Sequence, residues 1–366
     1  MLKKSTFQDV IMKKFNVGIA GLGRAGWNMH CGELDKLQDE FNIVSGCDIA
    51  PDRCEEFKKR YPEAAVYENY YDFIKNPDIE IVSIVVPTLL HVEYTRAALE
   101  AGKIVYLEKP IALNLDEVSE LGRLHRMYPG KIFVRHNRRF EAAFNHISEI
   151  IASGKLGEVF EVRLCRHRFQ MRNDWQTMPE CGGGQLNNWG PHLIDHALRF
   201  LNSQVDNVYA NLQRINCEGN AEDHVKFVLT GSNGRIVDVE ISDGASLYGD
   251  VYFIMGTRGT LRCTDEKIIE MRTLPDDFKY PEKHPHAESL PRSTGYGSCS
   301  NIKWVEEKIE VNPSNGYDMH KAYHYLYQAL AEIAPYPVTM EQALDVVRLT
   351  QRIKQSTDVI LRNKNV

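Results

Sequence analysis

Phe15-Asn16-Val17-Gly18-Ile19-Ala20-Gly21-Leu22-Gly23-Arg24-Ala25-Gly26 joins a short apolar run to glycines spaced as GxGxxG. The run Phe15 to Ala20 reads as a buried strand, and the residues after Gly26 can open a helix. Glycines ahead of a helix are, in isolation, a turn; a strand before them and a helix after them give the spacing a purpose. Gly21 permits the tight turn, Gly23 lets a backbone approach a pyrophosphate, and Gly26 lets helix and strand pack closely. Leu22, Arg24 and Ala25 complete a loop whose main chain and helix N-terminus suit phosphate charge.

Outward from this stretch, strands and helices alternate. A helix is expected from about Gly26 to Phe41, a strand over Asn42 to Asp48, a helix around Asp52 to Tyr61 and a short strand near Val66. A helix around Tyr70 to Lys75, the strand Glu80 to Val86, the helix His91 to Ala101 and the strand Ile104 to Leu107 continue the series. Such alternation indicates βαβ units and a parallel sheet covered on both faces, a Rossmann-type nucleotide-binding domain. Asp48, at the end of the second strand, can accept hydrogen bonds from the adenosine ribose hydroxyls, which favours NAD over NADP. Ile49 and Arg53 belong to the same pocket, and Arg24 and Arg53 are the residues that would instead hold a 2′-phosphate.

After about residue 130 the rhythm changes. Lys131 to Val134, Val159 to Arg168, Asp206 to Ile215, Asp223 to Leu229, Arg235 to Ile241, Tyr248 to Gly256 and Thr260 to Thr264 read as strands separated by turn residues. Residues 275 to 317 are rich in Pro, Gly, Ser and His and read as a long irregular excursion; Asp318 to Ala334 and Thr339 to Leu361 read as closing helices. The expected architecture is therefore α/β: a Rossmann domain over 12–130 and a C-terminal α+β domain with a large, mostly antiparallel open sheet over 131–366, whose closing helices 318–361 can pack back on the first. Met12-Lys13-Lys14 looks like a natural start, which makes residues 1–11 a frayed extension.

A chain of 366 residues exceeds what one core usually holds, which agrees with two domains. No long apolar run or signal-like segment occurs, so a cytoplasmic location is expected. Eight scattered cysteines without a CxxC pair suit free thiols better than disulfides or zinc. A net charge of −6 without a sustained basic block excludes nucleic acid and an anionic membrane as main partners and leaves a small molecule.

Three further segments resemble the Gfo/Idh/MocA oxidoreductases, the family that includes glucose–fructose oxidoreductase and inositol dehydrogenase. Val86-Pro87-Thr88-Leu89-Leu90-His91 resembles its TPNxxH segment, with Val and Thr in place of the first Thr and the Asn. Ala101-Gly102-Lys103-Ile104-Val105-Tyr106-Leu107-Glu108-Lys109-Pro110 resembles AGKHVxxEKP, and Gly182-Gly183-Gly184-Gln185-Leu186-Asn187-Asn188-Trp189-Gly190-Pro191-His192-Leu193-Ile194-Asp195 resembles GGGxLxDxGxHxxD. The resemblance implies a nicotinamide between the domains near Pro87, Thr88, His91, Glu108 and Lys109, with Lys109 as active-site lysine and His192 as general acid/base. The usual aspartate four residues before the histidine is Asn188 here, so the triad becomes Lys109-Asn188-His192.

Oxidising a secondary alcohol by hydride transfer needs a proton acceptor at the hydroxyl and a cation or donor for developing alkoxide charge, tasks that lysine and histidine can divide. Arg138, Arg166, His167 and Trp175 flank the expected cleft and join Asn188 and His192 as substrate-binding candidates, able to bind hydroxyls or stack on a sugar face. His192-Leu193-Ile194-Asp195-His196 approaches an inverted zinc-protease motif but lacks its Glu, so no metal is expected and His196 reads as structural. The expected activity is an NAD-dependent dehydrogenase acting on CH–OH groups of a carbohydrate-like molecule: a sugar, polyol or glycoside. Transient sugar oxidation with recycled NAD in a glycosidase or lyase, and a non-catalytic NAD-binding sensor, are the alternatives. An open sheet is expected to leave an apolar face, and the resemblance implies that another copy covers it in a homo-oligomer (dimer, tetramer or higher).

Overall fold

Six parallel strands build the first sheet in the order β3-β2-β1-β4-β5-β6, in a computed structural model that describes residues 13–280 and 302–362. They are β1 Phe15–Ala20, β2 Phe41–Cys47, β3 Ala65–Tyr67, β4 Ile81–Ile84, β5 Ile104–Glu108 and β6 Ile132–Arg135. Val17, Ile19, Ile81, Val82 and Ile84 are fully buried because helices cover both faces, which is why these strands read as continuous apolar runs. The strand order reverses between β1 and β4, and this switch point opens a crevice at the carboxyl edge of the sheet. The frayed extension read at residues 1–11 lies outside the described residues, as does Met12 of the start Met12-Lys13-Lys14.

Four local readings are corrected. The helix expected from Gly26 to Phe41 is shorter: a π-helical stretch, Ala25–Cys31, runs into a single α-turn, Gly32–Leu34. Lys131 to Val134, expected in the antiparallel sheet, is β6, which pairs in parallel with β5. The 275–317 excursion is not wholly irregular, since Val305–Glu310 is a strand; its residues 281–301 lie outside the described part. The closing helix stops at Ser356, after which Val359–Leu361 joins the second sheet. Among the helices without a sequence assignment are Leu115–Met127, capped by Asn114 accepting from Glu117 N at 2.9 Å, and Ala142–Ala152.

The second sheet is nine-stranded among the described residues, in the order β14-β13-β12-β11-β7-β10-β9-β8-β15. Its strands are β7 Val159–His167, β8 Val205–Arg214, β9 His224–Gly231, β10 Ile236–Ser242, β11 Tyr252–Gly256, β12 Gly259–Cys263, β13 Ile268–Thr273, β14 Val305–Glu310 and β15 Val359–Leu361. Pairing is antiparallel except between β7 and β10 and between β8 and β15. The helices Ala142–Ala152, Gly190–Leu201 and Met340–Ser356 cover one face, where Phe144, Ile194, Phe200 and Ile353 pack on Val162, Leu164, Phe227 and Val239. Met340–Ser356 serves both domains: Ala343 and Val347 enter the core beside the parallel sheet, while Val346, Leu349 and Ile353 enter the core of the second.

The outer face of this second sheet is not the apolar surface expected. Its period-2 outward positions form cross-strand ion pairs, with Lys226 to Asp238 at 2.6 Å, Arg262 to Glu270 at 2.6 Å and Arg272 to Glu306 at 2.7 Å. Exposed Phe160, Tyr209, Ile268 and Val305 are scattered among them.

Candidate active site

Gly21 holds a φ of +99°, and a Cβ there would come within 2.5 Å of the Val85 carbonyl oxygen, so β1 and the end of β4 can approach only through a glycine. A Cβ on Gly26 would run into the Gly21 carbonyl oxygen; one on Gly23 would meet only Arg53 Nη1, at 3.6 Å, and would otherwise project into open space. That open cradle, at a strand-to-helix turn on the switch point, fits a dinucleotide pyrophosphate. Asp48 braces it: Oδ2 accepts from Leu22 N at 2.8 Å and from Arg53 Nη1 at 3.3 Å, and Oδ1 accepts from Ala50 N at 3.0 Å. Arg24 is exposed, Ala25 is half-buried, and Ile49 stands at the lip. Pro87 and Thr88 follow β4 at the same edge, and His91 is buried with Nε2 3.0 Å from Val86 O.

Glu108 does not face the crevice. Its Oε2 accepts from Lys109 N at 2.9 Å; its Oε1 takes Arg135 Nη1 at 2.9 Å and lies 3.1 Å from His30 Nε2. Arg135 Nη2 reaches Glu33 at 2.7 Å, and His30 Nδ1 meets Tyr323 Oη at 2.8 Å and Ser83 Oγ at 2.9 Å. Burial alone would raise the Glu108 carboxyl, but His30, Arg135 and Lys109 hold it well below the usual carboxylate range. This network was missed in the sequence, although its signal was present: Arg135 is a charge closing the otherwise apolar run Ile132-Phe133-Val134.

Lys109 leaves β5 at its carboxyl end, and its Nζ donates to Asn188 O at 3.0 Å. Burial pulls its ammonium below the ordinary lysine range, and the Arg138, Arg24 and Arg135 charges act in the same direction against Glu108. His192 lies in the first turn of Gly190–Leu201, its ring edge-on to Trp189 with centroids 5.9 Å apart. Burial, then the Lys109 and Arg138 charges, push this imidazole well below its usual range and favour its neutral form. Its Nδ1 is buried without a hydrogen-bond partner among the described residues.

The substrate candidates separate. Arg138 and Arg166 converge on opposite oxygens of the buried Glu141, at 3.0 and 2.9 Å, and both lie over the Trp189 ring. His167 follows Arg166 on β7 and therefore points to the opposite face, where Nε2 meets Glu240 Oε1 at 2.9 Å, away from Lys109. Trp175 is half-exposed in the loop carrying Asp174, on whose carboxylate the Arg24 charge acts across the crevice. Asp195 grips Arg139 through Arg139 Nε at 2.7 Å, and His196 Nε2 lies 2.9 Å from Arg138 O while its ring stacks on Phe144 at 4.0 Å. Both side chains serve the scaffold. His136, also missed, is a buried imidazole acting on His192, with Nδ1 unpartnered among the described residues.

Fold and crevice together define an NAD(P)-binding oxidoreductase of the dehydrogenase class. Residues 15–136 match the oxidoreductase family NAD-binding Rossmann fold and residues 144–262 the GFO/IDH/MocA C-terminal domain; the chain belongs to the Gfo/Idh/MocA family. It is 28% identical to a scyllo-inositol 2-dehydrogenase (NADP(+)) of Bacillus subtilis over 93% of each chain. It is 30% identical to an uncharacterized oxidoreductase of Schizosaccharomyces pombe over 68% of this chain and 70% of the other. The crystal structure of an oxidoreductase from Thermotoga maritima shares the fold with a TM-score of 0.77 at 21% identity, covering 94% of this chain and 97% of that one. No helix among the described residues is long and apolar enough to cross a membrane.

Proposed function

We propose that this protein oxidises a secondary hydroxyl of a sugar, polyol or glycoside, with Lys109 and His192 as its catalytic residues. The observation that carries this is their convergence: a lysine at the carboxyl end of β5, its ammonium destabilised by burial, and an imidazole held below its usual range, close enough for one charge to shift the other. A bound oxidised nicotinamide would supply the acceptor for the hydride leaving the carbinol carbon. His192 accepts the hydroxyl proton as the C–H bond breaks and the carbonyl forms; Lys109, oriented by the Asn188 carbonyl, stabilises the negative charge developing on that oxygen. His192 is buried and Lys109 half-buried, which limits water around them and strengthens each interaction.

The cradle Gly21, Leu22, Gly23, Arg24, Ala25 and Gly26 would hold the pyrophosphate. Asp48, Ile49 and Arg53 would hold the adenosine, and Pro87, Thr88 and His91 would border the nicotinamide. Asp48 supports a preference for NAD, because a buried carboxylate repels a 2′-phosphate; Arg53 beside it opposes that preference. We also assign the protein to the cytoplasm, and to a homo-oligomer through the outer sheet face. The deciding experiment incubates purified protein and NAD or NADP with a panel of sugars, polyols and glycosides and follows reduced-nicotinamide absorbance. Sustained reduction with at least one compound is expected, and none with any would overturn the assignment.

A further inference from the structure

Arg138 ends the candidate cleft on a flat aromatic floor. Its guanidinium lies 4.3 Å over the Trp189 ring, whose neighbour is the His192 imidazole. Only Nη1 is committed among the described residues, to Glu141 at 3.0 Å, and the side chain keeps 20% exposure, so the Nε and Nη2 edge is free. Arg166 stands behind, 5.3 Å from the same ring, bound to the other Glu141 oxygen at 2.9 Å and to Glu266 at 2.5 Å, with its buried Nε unpartnered among the described residues. The two guanidiniums thus share Glu141, and among the described residues Glu266 serves Arg166 alone, leaving Arg138 with half of one carboxylate. Across the cleft the Lys109 ammonium meets a neutral carbonyl, and residue 188 carries an amide where a carboxylate would have balanced it. Both oxygens of Glu108 are engaged in the network behind.

A cleft that offers a free planar guanidinium edge, an aromatic platform and an ammonium without a facing carboxylate is complementary to a planar anion rather than to hydroxyls alone. We propose that the substrate is a hydroxy acid, an aldonic, uronic or similar carbohydrate acid, whose carboxylate docks on the free edge of Arg138 while its reacting hydroxyl lies between Lys109 and His192. This deepens the dehydrogenase function proposed above and rests on it. Arg138 is then a specificity-determining residue and Asn188 the position that keeps the cleft cationic.

The test compares matched pairs, glucuronate with glucose, galacturonate with galactose and gluconate with sorbitol, using the full chain and NAD or NADP. For at least one pair, kcat/KM for the acid should exceed that for the neutral partner by about tenfold or more at low salt, with the ratio shrinking as ionic strength rises. In Arg138→Met the ratio should fall toward unity, chiefly through KM for the acid. The ratio is internal to each preparation, so a partly unfolded variant does not blur it. Asn188→Asp, nearly isosteric, should lower the ratio severalfold by facing the substrate anion with another. Wild-type ratios at or below unity in every pair, with turnover of the neutral compounds, would overturn the acid assignment and leave the dehydrogenase function standing. A ratio unmoved in both variants would do the same. Turnover of neither class would overturn both.

Discussion

Lys109 Nζ donates to the main-chain carbonyl oxygen of Asn188 at 3.0 Å, so the backbone of residue 188, and not its side chain, orients the lysine. The side chain at 188 can therefore be changed without removing the contact that orients Lys109. Asn188→Asp should raise the His192 pKa by stabilising the imidazolium. The rate depends on the neutral base, so the rising limb of the kcat/KM profile should move to higher pH; an unmoved limb in rate measurements over pH 4 to 9 would refute it.

Lys109→Ala and His192→Ala should each lower kcat by about 10²–10⁴-fold and leave nucleotide affinity close to wild type. Steady-state kinetics alongside calorimetric titration of NAD or NADP checks both halves. Wild-type-like rates in both variants would place the proton acceptor elsewhere, with His136 the next imidazole beside the site.

At the cradle, Asp48 accepts from the Leu22 and Ala50 amides as well as from Arg53. Asp48→Ala should remove the repulsion of a 2′-phosphate and release Arg53, shifting relative affinity from NAD toward NADP. Dissociation constants for both nucleotides decide it. Some loss of affinity for both is also expected, because the turn loses its brace.

Arg135 is 2% exposed and bridges Glu33 and Glu108, so Arg135→Met leaves two buried carboxylates without their cation. Breaking a buried ion pair from one side typically costs about 3–5 kcal/mol, and urea unfolding should show a loss of that order. Glu108 also fixes the Lys109 amide, so activity should fall even at temperatures where the variant is folded.

Stability should decline as pH falls from about 6.5 toward 4, before most carboxylates titrate. His30, His91 and His196 are buried, and desolvation lowers each from its usual value to about 4. A depressed imidazole pKa means that the unfolded chain binds more protons in that window, so the stability of the neutral imidazoles is complete above the unfolded pKa and lost on acidification. Glu33 and Glu222, raised by burial, act in the opposite sense and moderate the slope. Thermal melts across that range check the direction.

Much of this molecule was legible from local pattern. The strand, the glycine spacing and Asp48 mark the parallel sheet and its crevice because a tight turn, a close backbone approach and a buried strand each restrict residue type at a fixed position. Lys109 and His192 were singled out only through the family resemblance, and the fold places one at the carboxyl end of β5 and the other in the first turn of Gly190–Leu201. What the sequence left open depends on contacts between distant segments. The run Ile132 to Arg135 has the same local character in either sheet, and only the docking of β6 beside β5, with Arg135 reaching Glu33 and Glu108, placed it. Arg166 and His167 looked equivalent until strand register sent one to Glu141 and the other to Glu240 on the opposite face. The outer sheet face took its charged character from cross-strand neighbours that no single strand records, and Asn188 orients Lys109 through a carbonyl that every residue type possesses. Residue type fixes what a position can do locally, while the partners of a charge or a main-chain oxygen are chosen by the packing of elements far apart in the chain.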